Sequence, residues 1–403
     1  MLIDVLYFIV FIVIGLSLPD LVLMHKDEVH KKHLRVLLLF HFLIGIAYFF
    51  FTRNGGGDAW GYWTAVQTMT PEKFFYNLTE SKGTYFMQAL NYIPGKVLGM
   101  SFFANTMFFS LIGYIGLFLF YLTALETIPY NVKLKGYKLF PLILFIPNLH
   151  FWSAGVGKDT LLFFCIGMFV YGMLNVGKRF PLLLISFVLS YFLRPHITLF
   201  LFVGFAAAFL FDPKVSGFKR ILLMILLIGA SIAILPSVME FAKIEEASVS
   251  SFGKFSENKA EALSKSNTGS AIDISSYPFP LKVLTFLYRP FFFDVRGITG
   301  LVASFENLIL LILSFQLFKS KPIETFMASP FVIKGLLFFL LIGTLAFSQS
   351  LGNVGIMIRM RNMFLPGLLI YILWSFSYQR QLSAELKKRI LKKKIALTPI
   401  YND

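Results

Sequence analysis

Residues 36–63, VLLLFHFLIGIAYFFFTRNGGGDAWGYW, place a long apolar run directly before an arginine, three glycines, an aspartate and several aromatic rings. The run from Val36 to Phe51 holds almost no polar residue. A transmembrane helix needs about 20 mainly apolar residues, and comparable runs recur along the whole chain. They predict an all-α polytopic membrane protein, in which the polar stretch after this run lies at a membrane surface.

The composition supports the same class. Of 403 residues, 57% are hydrophobic and 14% are charged, and the mean hydropathy is +0.73. A soluble chain carries about 25% charged residues, and the short alternating segments of a transmembrane β-barrel are not visible. The formal charge of +16 is typical of Lys- and Arg-rich cytoplasmic loops, so no nucleic-acid partner is expected.

The apolar runs predict about 11 spans within a single transmembrane domain, residues 1–403. The segment at the N-terminus has no positive residue before its apolar run, so we expect a retained helix rather than a cleaved signal. The predicted spans are 2–18, 36–52, 101–124, 138–150, 159–176, 181–193, 197–212, 221–236, 299–318, 332–350 and 363–378.

The distribution of Lys and Arg predicts the orientation. Connections assigned to the inner side carry clusters of cations, such as Lys178 with Arg179, and the tail over 379–403 is strongly basic. Because cytoplasmic loops collect Lys and Arg, we expect a cytoplasmic C-terminus, an outer N-terminus and location in the cytoplasmic membrane.

Two long segments fall on the predicted outer side. Residues 53–100 alternate apolar and polar residues in a way that suits short interfacial helices. Residues 237–298 begin with a Ser-, Lys- and Glu-rich stretch, which predicts a mobile flap, and then become apolar again.

Cations stand at the outward ends of five separate segments. Ionisable groups near membrane depth are costly and usually face an internal cavity, and a guanidinium pairs two phosphate oxygens at once. The pattern predicts one shared site for a phosphate or pyrophosphate, although any single arginine could instead snorkel to lipid headgroups. The candidate phosphate-binding residues are Arg53, Lys158, Arg194, Arg289, Arg296, Arg359 and Arg361.

Asp58 is the candidate catalytic residue. The glycines before it permit a tight, positive-φ backbone and close substrate approach, and a carboxylate there could deprotonate an acceptor hydroxyl. The alternative is a helix N-cap, a position at which Asp is favoured.

Aromatic and polar side chains near the cations are candidates for sugar or acceptor contacts. For the two histidines among them, helix-end packing is the alternative. The sequence lacks the Cys/His spacing of a metal site and an inner loop large enough for a nucleotide-binding unit, so neither metal nor cofactor is expected. The candidate sugar- or acceptor-binding residues are Trp60, Tyr62, His150, Trp152, Asp159, His196 and Asp294.

These features together resemble membrane glycosyltransferases of the GT-C type, along with O-antigen polymerases and EpsG-like polysaccharide polymerases. In GGDAWGYW, Asp58 and Tyr62 look like the D-x-x-x-Y element of the family's first outer loop. RPH at 194–196 and RMRN at 359–362 look like the polymerases' arginine sites for lipid pyrophosphate. The segment over 237–298 falls where the family has a long flexible outer loop.

The resemblance implies a GT-C-like glycosyltransferase or polysaccharide polymerase of the cell envelope. It would transfer sugar from a polyprenyl phosphate- or pyrophosphate-linked donor to a glycan or lipid-linked acceptor. The reaction would take place on the outer face of the membrane, and the surrounding membrane lipids would be further partners of the protein. A transporter or flippase for an anionic lipid-linked glycan would share the basic cavity without needing an acid at a fixed place. Transporters often contain internal repeats, and none is visible in this sequence.

Overall fold

The structure, a computed structural model, describes residues 2–23, 28–134, 136–212, 216–242, 244, 248–265, 270–295 and 297–397. Nearly all of its regular structure is helical. The first ten helices are α1 (Leu2–Val22), α2 (Glu28–Arg53), α3 (Ala59–Gln67), α4 (Pro71–Thr79), α5 (Thr84–Tyr92), α6 (Phe102–Thr127), α7 (Leu139–Leu142), α8 (Pro147–Phe151), α9 (Lys158–Met173) and α10 (Val176–Leu193). The others are α11 (Pro195–Leu210), α12 (Gly217–Ala242), α13 (Val249–Ser264), α14 (Phe279–Tyr288), α15 (Gly297–Lys319), α16 (Pro322–Ala328), α17 (Phe331–Ser350), α18 (Val354–Arg361) and α19 (Leu365–Leu397).

Within these described ranges, seven helices are long and apolar enough to cross a membrane: α1, α2, α6, α10, α12, α15 and α17. The helix pair α18 and α19, bent by 57° at its break, gives an eighth candidate. Length and apolar composition together therefore support a multi-pass helical membrane protein.

Three of the predicted spans do not correspond to long helices in the structure. The stretch over 138–150 is not one helix, which corrects that prediction: α7, a 3₁₀ turn (Ile143–Phe145) and α8 follow one another there. Pro141 and Pro147 lack the N–H groups that a continuous helix would need. Helices α9 and α11 have 16 residues each, short of the ~20 of an upright span, so the count of 11 stays a prediction.

Helix α6 lies at the centre of the bundle. It is apolar on all sides, which is the pattern of a buried helix, and it packs against α1, α2 and α9. Gly116 of α6 and Gly167 of α9 face one another, so the two backbones approach closely. A second packed group joins α11 to α12 and α17.

The two long segments contain short helices. Residues 53–100 form α3, α4, α5 and a π-helical turn (Ile93–Val97). Thr70 caps α4 by accepting a hydrogen bond from the Lys73 N–H at 3.3 Å, and Pro71 follows at the first helical position. Residues 237–298 include α13 and α14. A two-residue antiparallel hairpin, β1 (Lys133–Leu134) with β2 (Tyr137–Lys138), is a small departure from the all-α prediction.

Candidate ionic site

A glycine-rich turn between α2 and α3 positions Asp58. Gly55 and Gly57 have φ angles of 91° and 68°, a region that glycine adopts without the penalty of a Cβ atom. Asp58 occupies the N-cap position of α3, but its side chain makes no capping hydrogen bond. The Asp58 carboxylate instead turns toward α18.

Four charged residues from four distant segments meet at this turn, and we call them the ion-pair cluster: Asp58, Asp159, Arg194 and Arg359. Arg359 Nη2 donates to Asp58 Oδ2 at 3.0 Å, and its Nε donates to Asp159 Oδ2. Arg194 Nη1 lies 3.1 Å from Asp159 Oδ1. Positive and negative groups therefore alternate along one chain of contacts.

The helix ends explain how the cluster assembles. Asp159 lies in the first turn of α9, and Arg194 is the N-cap residue that separates α10 from α11. Arg359 lies in the last turn of α18, which begins with Asn353 as its capping residue. Each charged side chain thus comes from a helix terminus, and one end of the bundle gathers all four.

Asp159 is the buried centre of the cluster. Its side chain is 7% exposed, whereas that of Asp58 is 55% exposed. The contact from Arg194 is close enough for an ion pair but lacks hydrogen-bond geometry, so no donor in the described part of the chain satisfies Asp159 Oδ1. A buried carboxylate oxygen without a donor is costly, and a substrate hydroxyl could supply the missing hydrogen bond.

Lys158 and Tyr62 extend the cluster. Lys158 Nζ donates to Thr84 Oγ1 at 3.1 Å and lies 5.8 Å from the centroid of the Tyr62 ring. Tyr62 follows Asp58 by one helical turn, and its N–H donates to the Asp58 carbonyl at 3.1 Å. Burial and then the negative charge of Asp58 raise the pKa of Tyr62 to about 12, so this phenol stays neutral and can donate.

Arg361, Arg289 and Asp294 form a separate group. Buried Arg361 donates to the Leu287 carbonyl and, at 2.7 Å, to Asn307 Oδ1, which ties α18 to α14 and α15. Arg289 Nε donates to Asp294 Oδ2 at 3.0 Å. Burial raises the pKa of Asp294, but the hydrogen bonds from Arg289 and from the Phe291 N–H, together with the charge of Arg289, outweigh it and lower the pKa. These side chains hold neighbouring segments together.

The predicted aromatic and histidine contacts are mostly packing contacts. His150 donates from Nε2 to the Leu144 carbonyl at 2.8 Å, and its Nδ1 lies 3.0 Å from that of buried His41. Trp152 packs edge-on against Tyr48, with ring centroids 6.4 Å apart. The ring of His196 lies among phenyl rings, including Phe347 at 6.1 Å.

The remaining candidates contribute no ion pair to the cluster within the described structure. Arg53 lies over the Phe49 ring at 5.9 Å, and Trp60 packs against Trp63 and Phe102. Arg296 lies outside the described residues.

Two residues that contact Lys158 or the ion-pair cluster had no signal in the sequence. Thr84 accepts the Lys158 hydrogen bond, and the Met360 sulfur accepts from Arg194 Nη1 at 3.0 Å. A threonine and a methionine are ordinary in such a chain, so only the three-dimensional contact distinguishes them.

Searches with this chain against protein-family models, curated proteins and solved structures found no match. The functional inference therefore rests on the chemistry of the ion-pair cluster and on the presence of helices that could span a membrane.

Proposed function

We propose that this protein is an integral membrane glycosyltransferase or polysaccharide polymerase. Its donor is a sugar carried on a polyprenyl phosphate or pyrophosphate, and its acceptor is a glycan or a lipid-linked glycan. The reaction takes place on the outer face of the cytoplasmic membrane, the side to which the Lys and Arg distribution assigns the segments around the cluster.

The observation that carries the proposal is the convergence of Asp58, Asp159, Arg194, Arg359 and Lys158. Arg359 reaches Asp58 across 301 residues of sequence and Asp159 across 200. Two carboxylates and three cations give the group a net formal charge of +1. Arginines that snorkel to the headgroups would lie separately at the lipid surface. The contacts between these charged side chains therefore favour a single polar site that the fold assembles.

The donor's phosphates are the ligands that suit Arg194 and Arg359. A phosphate offers paired oxygens that match the guanidinium fork. It competes with the two carboxylates for the same N–H groups, so donor binding loosens the contact between Arg359 and Asp58. The added negative charge nearby then makes the Asp58 carboxylate a better base.

The reaction needs one proton transfer and one bond exchange. Asp58 takes the proton of an acceptor hydroxyl as that oxygen attacks the anomeric carbon of the donor sugar. The bond from that carbon to the phosphate oxygen breaks, and the lipid phosphate leaves with its electron pair, stabilised by the arginines and Lys158. Asp159 Oδ1 accepts a hydrogen bond from a substrate hydroxyl and orients it.

The experiment begins with the glycolipid that accumulates in cells from which the protein has been removed. This glycolipid is incubated with the purified protein in neutral detergent, and the products are separated by chain length. We expect the accumulated single units to be consumed and longer or newly glycosylated products to form. An Arg35→Lys variant serves as control, because Arg35 pairs with Asp20 away from the cluster.

A transporter would give a different result. Purified protein would form no glycosidic bond, while the same protein in vesicles would move the glycolipid from one leaflet to the other. That pair of results would overturn the transferase proposal.

A further inference from the structure

Helix α5 runs between the segments that build the site. Thr84 and Asn91 are seven positions apart, so their side chains lie on one face of this helix. Thr84, at the start, accepts the hydrogen bond from Lys158 Nζ at 3.1 Å. Asn91, near the end, is buried and donates from Nδ2 to the Tyr62 carbonyl at 3.1 Å. One face of α5 therefore contacts both α9, at Lys158, and α3, at Tyr62.

Both ends of α5 are fixed to the bundle. Before the helix, the Gly83 N–H donates to the Phe192 carbonyl near the end of α10 at 2.8 Å. Gly83 has a φ angle of 66°, which glycine adopts without the penalty of a Cβ atom. At the other end, Asn91 Oδ1 accepts a hydrogen bond from Asn105 Nδ2 of the central helix α6 at 2.7 Å. These contacts set the position of α5 relative to the helices that carry the ion-pair cluster.

The anchor of Lys158 leaves the charge of this lysine uncompensated. Within the described structure no carboxylate forms an ion pair with Lys158, and its one hydrogen bond goes to the Thr84 hydroxyl. An ammonium group has three N–H donors, so two remain for another ligand. Thr84 is exposed and Lys158 is only partly buried, so a ligand can reach both side chains. A neutral acceptor thus fixes the direction of the ammonium group and leaves its full charge for an anion.

We propose that Thr84 is a positioning residue of the site, whose hydroxyl holds the Lys158 ammonium group where the phosphate groups of a lipid-linked donor bind. The identity of that anion rests on the proposed function. Without this hydrogen bond, the phosphate itself would have to order the flexible lysine side chain, and that ordering would reduce the affinity.

The first test measures binding of farnesyl pyrophosphate, a short lipid pyrophosphate, to the purified full chain in neutral detergent by calorimetry. We expect Thr84→Val, which keeps the shape but removes the hydroxyl, to weaken binding about fivefold. Thr84→Ser restores the hydroxyl and should bind nearly as wild type.

Thr79→Val is the matched control, since Thr79 is an exposed residue of α4 whose hydroxyl donates to the Phe75 carbonyl of the same helix at 3.1 Å. This control should bind as wild type. Equal affinity of Thr84→Val and Thr79→Val, or no measurable binding by wild type, overturns the inference.

A double-variant cycle shows whether Thr84 acts through Lys158. Lys158→Gln alone should weaken binding at least about tenfold, because a charge-assisted contact is lost. Thr84→Val added to Lys158→Gln should then cause little further loss. A full fivefold loss in that background would mean that Thr84 does not act through the lysine, which would contradict the proposal.

The pH dependence of binding gives a readout that a purely structural role of Thr84 would not change. Burial and then repulsion from Arg194 lower the pKa of Lys158 to about 8, against the attraction of nearby carboxylates. Lysine is charged below its pKa, so binding of the anion should weaken as the pH rises through about 8. The titratable and charged groups that face this ammonium group are Tyr62, Asp58, Asp159, Arg194 and Arg359.

A hydrogen bond to the ammonium group favours its charged form. Thr84→Val should therefore move the loss of binding to lower pH, and Thr84→Ser should not. Lys158→Arg should show no loss in this range, because a guanidinium stays charged. An unchanged midpoint in Thr84→Val would contradict the positioning role.

The two proposals fail in distinguishable ways. If wild type and Thr84→Val transfer sugar equally at limiting donor, Thr84 has no positioning role while the transferase function stands. If binding depends on Thr84 through Lys158 but wild type transfers no sugar, the residue assignment stands and the reaction is wrong.

Discussion

Asp58 and Asp159 share one arginine but stand in different surroundings. The Asp58 side chain is 55% exposed and lies at a glycine-rich turn, whereas that of Asp159 is 7% exposed and contacts two arginines. Exposed ion pairs contribute about 0–1 kcal/mol. Removing one partner of a buried pair costs roughly 3–5 kcal/mol, because an uncompensated charge remains. Asp159 is therefore expected to contribute more to the stability of the cluster than Asp58 does.

Asp159→Asn should destabilise the protein by about 3–5 kcal/mol, and Asp58→Asn by no more than about 1 kcal/mol. Thermal unfolding of the purified variants in one detergent measures both. Asp20→Asn is the control, since Asp20 pairs with Arg35 while remaining 48% exposed. Equal melting temperatures for the Asp159 and Asp58 variants would show that burial does not separate the two carboxylates.

The sequence could predict which charged residues are unusual but not which ones pair. Asp58, Asp159, Arg194 and Arg359 stood out as charges beside apolar runs. Arg361 stood out for the same reason, yet its guanidinium binds Asn307 and backbone carbonyls. Arg359 and Arg361 are two positions apart on α18, so their side chains point to nearly opposite sides of the helix. Only the packing of α18 shows which of these sides faces the cluster.

Helix α9 positions Asp159 and Lys158 through its packing on α6. A Cβ atom on Gly116 would lie 2.9 Å from the Phe163 ring and 3.1 Å from the Cα atom of Phe164. Small residues at such crossings let membrane helices approach closely, so the sequence of α6 controls the placement of the cluster at the end of α9.

Gly116→Leu should therefore push α9 outward, lower the free energy of unfolding by about 1–3 kcal/mol and reduce sugar transfer. Gly229→Leu is the control, because a side chain at Gly229 of α12 would meet open space. The measurements are thermal unfolding and transfer rate on the same preparations. A Gly116→Leu variant as stable and active as the control would mean that this crossing does not position the site.

Helices were predictable where apolar runs were long, as in α6 and α17. The structure of residues 138–150 could not be predicted in the same way. An apolar run that contains Pro141 and Pro147 can form either one kinked span or, as found here, several short helical turns. The helix over Val249–Ser264 was also missed: its composition predicted a mobile segment, and its docking depends on Gly352, about 90 residues further along the chain.

The orientation of the whole molecule remains a prediction from charge distribution, and labelling can test it. Single-cysteine variants at Asn54 and Glu257 should react with an impermeant thiol reagent on intact cells, and one at Ser383 should not. All three side chains are exposed, while the native Cys165 is buried. Labelling of Ser383→Cys on intact cells would place the cluster on the inner side and contradict the outer-face reaction.

The rate of sugar transfer by Asp58→Asn tests most directly whether the ion-pair cluster is the catalytic centre of a glycosyltransferase. Asparagine keeps the shape and caps a helix as well as aspartate does, but it cannot take a proton. With purified protein and the accumulated glycolipid, we expect transfer to fall ~10²–10⁴-fold, while farnesyl pyrophosphate binding persists and Asp20→Asn transfers normally. Transfer by Asp58→Asn at the wild-type rate would contradict the assignment of Asp58 as the base and remove the central reason for placing the reaction in this cluster.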